Sequence, residues 1–259
     1  MNLGLDGFSI LISGAAQGIG AATARSFAAV GARVLVVDRD GAAAESVAKE
    51  INGVACITDL TVEAGCARSV EMALAQFGRL DVLVNNAGVN DGVSLDAPPS
   101  DFLASLRRNL LPAFALAHFA RPHLIAARGA IVNVSSKVAE TGQGGTSGYA
   151  AAKGGINALT REWALALAVH QVRVNAVIPA ECDTLQYQRW FARQPDPVAA
   201  RAKIEALVPF GQRLTTPAEI ADTIVWLASP RAGHITGQLI HVDGGYTHLD
   251  RAATVGHRW

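Results

Sequence analysis

Seven short apolar runs punctuate the chain, at 8–13, 33–38, 54–57, 81–85, 130–135, 173–178 and 238–242. Runs such as Val34-Leu35-Val36-Val37 and Ile131-Val132-Asn133-Val134 are continuous rather than alternating. A strand with one wet face alternates apolar and polar residues, so a continuous run needs apolar cover on both faces. Between the runs lie longer segments, 19–30 and 149–169 among them, whose apolar residues recur at helical spacing. Strand and helix in strict alternation predict an α/β fold: one Rossmann-type doubly wound parallel sheet of about seven strands with helices on both faces.

Half of the 259 residues are hydrophobic and 17% are charged, enough to form one core over 1–259 as a single domain. Basic and acidic side chains balance at 22 each, which argues against a nucleic-acid partner or an anionic membrane. No continuous apolar stretch reaches the length of a membrane span, and the start lacks the cationic and apolar regions of a signal peptide. Cys56, Cys66 and Cys182 are widely spaced, without a metal-ligand pattern. The expectation is a cytoplasmic protein with no metal, no nucleic acid and no membrane.

One segment breaks the rhythm. Residues 184–216 follow the sixth strand and contain Pro195, Pro197 and Pro209 among short helical pieces. An insertion beyond the carboxyl end of a strand sits where ligands bind in open α/β sheets, so it is expected to act as a substrate lid.

The first strand runs into Ser13-Gly14-Ala15-Ala16-Gln17-Gly18-Ile19-Gly20 and then into a helix. Glycines let the backbone approach a pyrophosphate, and the helix start offers unpaired N–H groups and a positive dipole end. The spacing is GxxxGxG, and no Gly-Lys-Ser/Thr follows, so it is not a Walker A loop. Eighteen residues past Gly20 the second strand ends at Asp38. A carboxylate there accepts from ribose hydroxyls and repels a 2′-phosphate, favouring NAD over NADP. Arg39 beside it leaves that preference less than absolute.

With Asn85-Asn86-Ala87-Gly88, Asn109, Ser136 and Tyr149-x3-Lys153 in order behind the glycines, the whole chain resembles the short-chain dehydrogenase/reductase family. The resemblance implies catalytic roles for Asn109, Ser136, Tyr149 and Lys153. It implies cofactor contacts at Gly14, Gln17, Gly18, Ile19, Gly20, Asp38, Arg39, Asp59, Leu60, Asn86, Gly88, Tyr149, Lys153, Cys182 and Thr184. Asp59 and Leu60 would meet the adenine, Asn86 the adenosine ribose, and Thr184 with the Cys182 backbone the carboxamide. Asn109, inside an apolar helix, would order a water leading from Lys153 to solvent. Two positions depart from the family pattern: Ser13 stands for Thr, and Ala180 for Gly after Pro179. The latter makes the carboxamide loop less permissive.

The chemistry suits these residue types. Tyr149 and Lys153 are four apart, hence on one helix face. A phenol of pKa about 10 is a poor base, and a neighbouring ammonium together with a nicotinamide cation favours the phenolate. Ser136 is placed to hydrogen-bond the substrate oxygen.

Further segments are similar to bacterial L-fucose dehydrogenases: LVNNAGVNDG at 83–92, SSK and TGQGGTSGY within 128–153, LTREWALAL at 159–167, RVNAVIPAE at 173–181 and VDGGYTHLDRA at 242–252. That similarity implies oxidation of a sugar at C1, L-fucose or a related aldose, to a lactone. Ser136, Gln143, Tyr149 and Glu181 are the expected sugar contacts, with Asn90 and Lys137 nearby. Competing substrates are a keto-deoxy sugar acid, another aldose, or a secondary alcohol such as a steroid. A catalytically silent NAD-binding sensor or scaffold has no need of all four catalytic residues. A Ser hydrolase reading of Gly145-Thr146-Ser147-Gly148 fails because Tyr149 takes the last Gly position of the elbow. The family implies a homotetramer, with a C-terminal tail bearing His248, His257 and Trp259 that reaches a neighbouring subunit.

Overall fold

A computed structural model describes residues 2–249. Among them, seven parallel strands form one sheet: β1 (Ser9–Ser13), β2 (Arg33–Asp38), β3 (Val54–Ile57), β4 (Val82–Asn85), β5 (Ala130–Val134), β6 (Arg173–Pro179) and β7 (Leu239–Val242). Their order is β3-β2-β1-β4-β5-β6-β7, so the chain reverses direction across the sheet between β1 and β4. That reversal opens a crevice at the carboxyl ends of the strands.

The helices are α1 (Gly18–Ala29), α2 (Gly41–Glu50), α3 (Glu63–Phe77), α4 (Pro99–Asn109), α5 (Leu111–Ala127), α6 (Val138–Thr141), α7 (Ser147–Ala168), α8 (Leu185–Phe191), α9 (Pro197–Glu205) and α10 (Pro217–Ala228). Successive strand residues point to opposite layers. Ile10, Ile12, Val34, Val36, Val82 and Val84 pack with Ala24 and Phe27 of α1 and Ile220 and Ile224 of α10. Leu11, Leu35, Val37 and Leu83 pack instead with Val70 of α3, Leu116 and Leu124 of α5 and Leu167 of α7. Both layers demand apolar residues, which is the physical reason the strand sequences are continuous.

Polar side chains stitch the centre together. Asn85 Nδ2 donates to Asn133 Oδ1 at 2.9 Å, and Asn133 Nδ2 donates to Thr160 Oγ1 at 2.9 Å, linking β4, β5 and α7 through the core. Arg173 at the start of β6 caps the end of α10, donating to the carbonyls of Leu227, Ala228 and Ser229 at 2.6–3.1 Å. α4 and α5 abut at Leu110, whose φ of −121° breaks the helix just before Pro112. The combined stretch Pro99–Ala127 is long and apolar enough by composition to cross a membrane. Here Leu116, Ala120 and Leu124 of that stretch pack in the core.

Candidate active site

The crevice has two walls built in different ways. On the cofactor side the wall is backbone. Gly14 has φ +65°, and a Cβ there would lie 2.9 Å from Ala87 Cα. At Gly20 a Cβ would lie 2.2 Å from the Gly14 carbonyl oxygen, so the first turn of α1 packs against the loop with no space for a side chain. Gln17 precedes α1 without capping it by a side chain, leaving the helix start for another acceptor. Gly18 and Ile19 open the helix, and Thr184 covers them from above: a Cβ on Gly18 would meet Thr184 Cγ2 at 3.5 Å.

Ser13 ties this loop to the next one. Its hydroxyl accepts from Asn86 N at 3.0 Å and Ala87 N at 3.1 Å, while Asn86 Nδ2 donates to the Ser13 and Gly14 carbonyls at 3.0 and 2.8 Å. Asn86 Nδ2 therefore holds the glycine turn. At the end of β2, Asp38 Oδ2 accepts from Ala16 N at 3.1 Å and Oδ1 from Asp40 N at 3.1 Å, which fixes the carboxylate beside the loop. Arg39 is exposed. Asp59 is exposed too, and the Thr61 N–H it accepts at 2.9 Å holds its carboxyl below the usual range; Leu60 is buried behind it. The glycine cradle, the uncapped helix start and the fixed carboxylate fit the pyrophosphate and ribose of a dinucleotide.

On the reacting side the wall is side chains. Ser136 follows β5, and Tyr149 and Lys153 come from α7. Lys153 is buried at 3% exposure, with Nζ donating to the Val134 carbonyl at 2.7 Å and its own carbonyl accepting from Ser135 Oγ at 3.2 Å. Burial pushes its ammonium down to about 8. Burial also pushes the Tyr149 phenol up to about 12, against a smaller pull downward from its hydrogen bond with Ser136. Lys153 alone thus does not deliver the lowered phenol expected from the sequence. Its Nζ stands 5.5 Å from the Tyr149 ring centroid, while burial is the largest influence on the phenol.

Gly88 closes the floor, where a Cβ would lie 3.2 Å from Asn109 Oδ1 and 3.3 Å from Lys153 Nζ. Asn109 is the last residue of α4 rather than a mid-helix residue. Its Oδ1 accepts from Val89 N at 2.7 Å and its Nδ2 donates to the Ser105 carbonyl at 3.1 Å. Ser105 Oγ in turn donates to Asp91 at 2.9 Å, and Arg108 grips the same carboxylate. Neither Asp91 nor Ser105 was marked by a motif.

The expected sugar contacts divide. Gln143 is exposed on the loop before α7. Glu181 is buried, with one carboxylate oxygen paired to Lys137 Nζ and the other accepting from the Tyr187 hydroxyl. This acid, expected to meet a sugar, is held by two protein partners. Lys137 Nζ also lies 3.9 Å from the Tyr246 ring centroid. Tyr187 belongs to α8, inside 184–216, so this network joins that insertion to the end of β6. Main-chain bonds do the same, since Asp183 N donates to the Thr215 carbonyl and Thr215 N to the Glu181 carbonyl at 2.9 and 2.8 Å. The Cys182 carbonyl accepts Thr184 N at 2.8 Å, and its buried thiol is pushed up to about 12. Asn90 accepts from Gly92 N at 3.3 Å. Trp163 packs on the core; Trp190 is half exposed against Phe191. His257 and Trp259 lie outside the described residues.

The family described as Enoyl-(Acyl carrier protein) reductase matches residues 14–247. The chain is 37% identical to a 3-oxoacyl-[acyl-carrier-protein] reductase of Thermotoga maritima, covering 93% of this chain and 98% of that one. It is 36% identical to an L-fucose dehydrogenase of Bos taurus (91% and 88% covered). Against a cis-4-hydroxycyclohexanecarboxylate dehydrogenase of Sinomonas cyclohexanicum it is 40% identical (92% and 95% covered). Among solved structures, Cj0485 dehydrogenase superposes with a TM-score of 0.94 at 35% identity, over 100% of both chains. The ligand-free aldohexose dehydrogenase of Thermoplasma acidophilum gives 0.89 at 27% identity, over 96% and 98%. A 3-ketoacyl-(acyl-carrier-protein) reductase of Brucella melitensis, complexed with NADH, gives 0.85 at 33% identity, over 94% and 99%.

Proposed function

The chain belongs to the short-chain dehydrogenase/reductase family of nicotinamide-dependent oxidoreductases acting on CH–OH groups, and from that premise we propose that it oxidises a sugar with NAD⁺, at C1 of L-fucose or a related aldose, to the lactone. The observation that carries the reading is the convergence of Ser136, Tyr149 and Lys153 at the end of β5, over a glycine floor and across the crevice from a fixed Asp38.

Bound NAD⁺ supplies the hydride acceptor. The phosphates would lie on Gly14, Gln17, Gly18, Ile19 and Gly20, the ribose at Asp38, the adenine by Asp59 and Leu60, and the nicotinamide end by Lys153, Cys182 and Thr184. Asp38 presents negative charge where a 2′-phosphate would sit, which is the ground for NAD over NADP. Tyr149 takes the proton of the sugar hydroxyl at its phenolic oxygen as the C1 hydrogen departs. Because burial holds that phenol near 12, its activation needs positive charge beyond Lys153, and an oxidised nicotinamide brings it. Ser136 Oγ donates to the sugar oxygen, and Lys153 with Asn109 forms the route for the released proton.

The polyol is read by Gln143 on its exposed loop and by the shape that Glu181, Lys137 and Tyr187 impose behind it. Residues 184–216 act as the lid, anchored where Tyr187 meets Glu181. The 40% identity to a dehydrogenase of a hydroxycyclohexane acid favours a secondary alcohol as the second reading.

Assembly as a homotetramer accords with an apolar groove of about 480 Å³ on the outer surfaces of α4, α5 and α7, lined by Leu106, Arg107, Leu110, Leu111, Phe114 and Leu159. Three buried, unpaired cysteines accord with a reducing cytoplasm.

The test is a screen for NADH formation over aldoses, sugar acids and secondary alcohols, with NAD⁺ and NADP⁺ in parallel. Turnover of a 6-deoxy or related aldose with NAD⁺ is expected. Faster turnover of alicyclic alcohols moves the substrate to the second reading, and preference for NADP⁺ overturns the role given to Asp38. Binding of NAD⁺ without turnover of any substrate would make the protein a sensor or scaffold.

A further inference from the structure

Away from the reacting side chains, Glu140 of α6, His241 of β7 and His248 beyond it converge, with one donor atom from each lying within 4.8 Å of the others. His241 Nε2 is 3.1 Å from Glu140 Oε2, and the His241 and His248 rings meet edge to face at 4.3 Å between centroids. Glu140 and His241 lie 101 positions apart in the chain, so tertiary structure alone brings them together. We propose that these three side chains bind one divalent transition-metal ion, with zinc the best chemical fit.

The donor set argues for the class of ion. Two imidazole nitrogens and a carboxylate oxygen suit zinc and its late first-row neighbours, whereas magnesium and calcium take oxygen donors. At zinc bond lengths, donors around a tetrahedral ion stand roughly 3.4 Å apart. The Glu140–His241 pair is already near that spacing, and a rotamer adjustment brings His248 to it. Glu140 is also held from behind, since Asn157 Nδ2 donates to its other oxygen at 3.4 Å. Asn157 is 6% exposed, and its Oδ1 is among the buried polar atoms without a hydrogen-bond partner, as is the hydroxyl oxygen of Thr247 next to His248. Asn157, the residue that holds Glu140, thus keeps a buried oxygen free for a further partner.

The ion would tie α6, which begins just after Ser136 and Lys137, to β7 and to the segment carrying Tyr246 over Lys137. It is independent of the substrate reading and uses none of the residues assigned to the reaction. The thiols do not compete for the metal, because Cys66 and Cys182 are buried and pushed up to about 11 and about 12.

The experiment uses untagged full-length protein stripped with chelator and titrated with Zn²⁺, with Mg²⁺ in a parallel arm. Calorimetry should show one saturable Zn²⁺ site per chain, and Tm should rise by about 5–10 °C at hundredfold excess over Kd. His248→Gln and Glu140→Gln should each weaken Zn²⁺ binding at least tenfold and remove the Tm rise, while metal-free turnover stays at the wild-type level. Absence of a saturable site, wild-type affinity in both variants, or equal stabilisation by Mg²⁺ would overturn the proposal.

Discussion

The two walls of the crevice solve the same problem by opposite means. The cofactor wall, from β1 to β4, is made largely of main chain brought close by missing side chains, with Ser13, Asp38 and Asn86 tying its loops together. The reacting wall, from β5 to β7, is made of buried charged and phenolic side chains drawn from distant segments. Lys137, Lys153 and Glu181 are each at most 7% exposed. Asp38 and Asp59 apart, the first wall carries no titratable group at the loop, so it should respond chiefly to shape and the second to charge. The difference teaches where each wall is vulnerable.

The largest expected effect falls on the side-chain wall. Tyr149→Phe should lower kcat by about 10³–10⁴-fold while NAD⁺ binding, followed by NADH fluorescence, stays within twofold. Turnover within tenfold of wild type would remove Tyr149 from the proton transfer. The matching change on the backbone wall is Gly20→Ala, whose Cβ would clash with the Gly14 carbonyl. Overpacking of this kind costs about 1–3 kcal/mol, and the dinucleotide Kd should rise about a hundredfold. A variant binding NAD⁺ normally would mean that the loop is not the phosphate cradle.

A pH series sharpens the contrast. Lys153 is held at about 8 in the folded protein against 10.5 as its ordinary value, so between those limits the unfolded chain binds more protons. Unfolding free energy should therefore climb as pH rises from about 8 to 10.5, by roughly 3 kcal/mol at most, relative to Lys153→Met. Denaturant unfolding of the two proteins across that range gives the answer, and parallel curves would show that the ammonium is not desolvated. The smallest effect is expected from Tyr187→Phe, which removes one hydrogen bond between α8 and Glu181. A loss of about 1–1.5 kcal/mol corresponds to about a tenfold higher KM for the sugar with kcat and NAD⁺ affinity unchanged. A change in kcat alone would instead give Tyr187 a part in the chemistry.

The same contrast explains what was legible beforehand. The sheet could be read because both layers press apolar residues onto every strand, and only the first residue or the last shifted at β1, β4, β5, β6 and β7. The glycine loop and the Tyr149–Lys153 pair were visible because each is local, set by spacing along one turn or helix. The Lys137–Glu181–Tyr187 network was not, since its first link spans 44 positions and no periodicity marks it. For the same reason sequence shows a carboxylate at Glu181 but not the Lys137 and Tyr187 groups that hold it. Asn109 read as mid-helix because apolar spacing runs through Leu110 and Leu111, while Pro112 ends the first helix just there. The convergence of Glu140 with His241 and His248 likewise exists only once β7 is paired to β6.

The Asn85–Asn133–Thr160 chain carries one more consequence. It locks the axial register of α7 to two central strands through the buried core. The depth at which Tyr149 and Lys153 stand is therefore a property of the core, whereas 184–216, the proposed lid, is anchored separately through Tyr187 and Glu181. For protein engineering, the proposed role of 184–216 as the lid makes it an exchangeable cassette. Transplanting a relative's segment between Asp183 and Pro217 should retarget selectivity while the proton-transfer apparatus keeps its alignment.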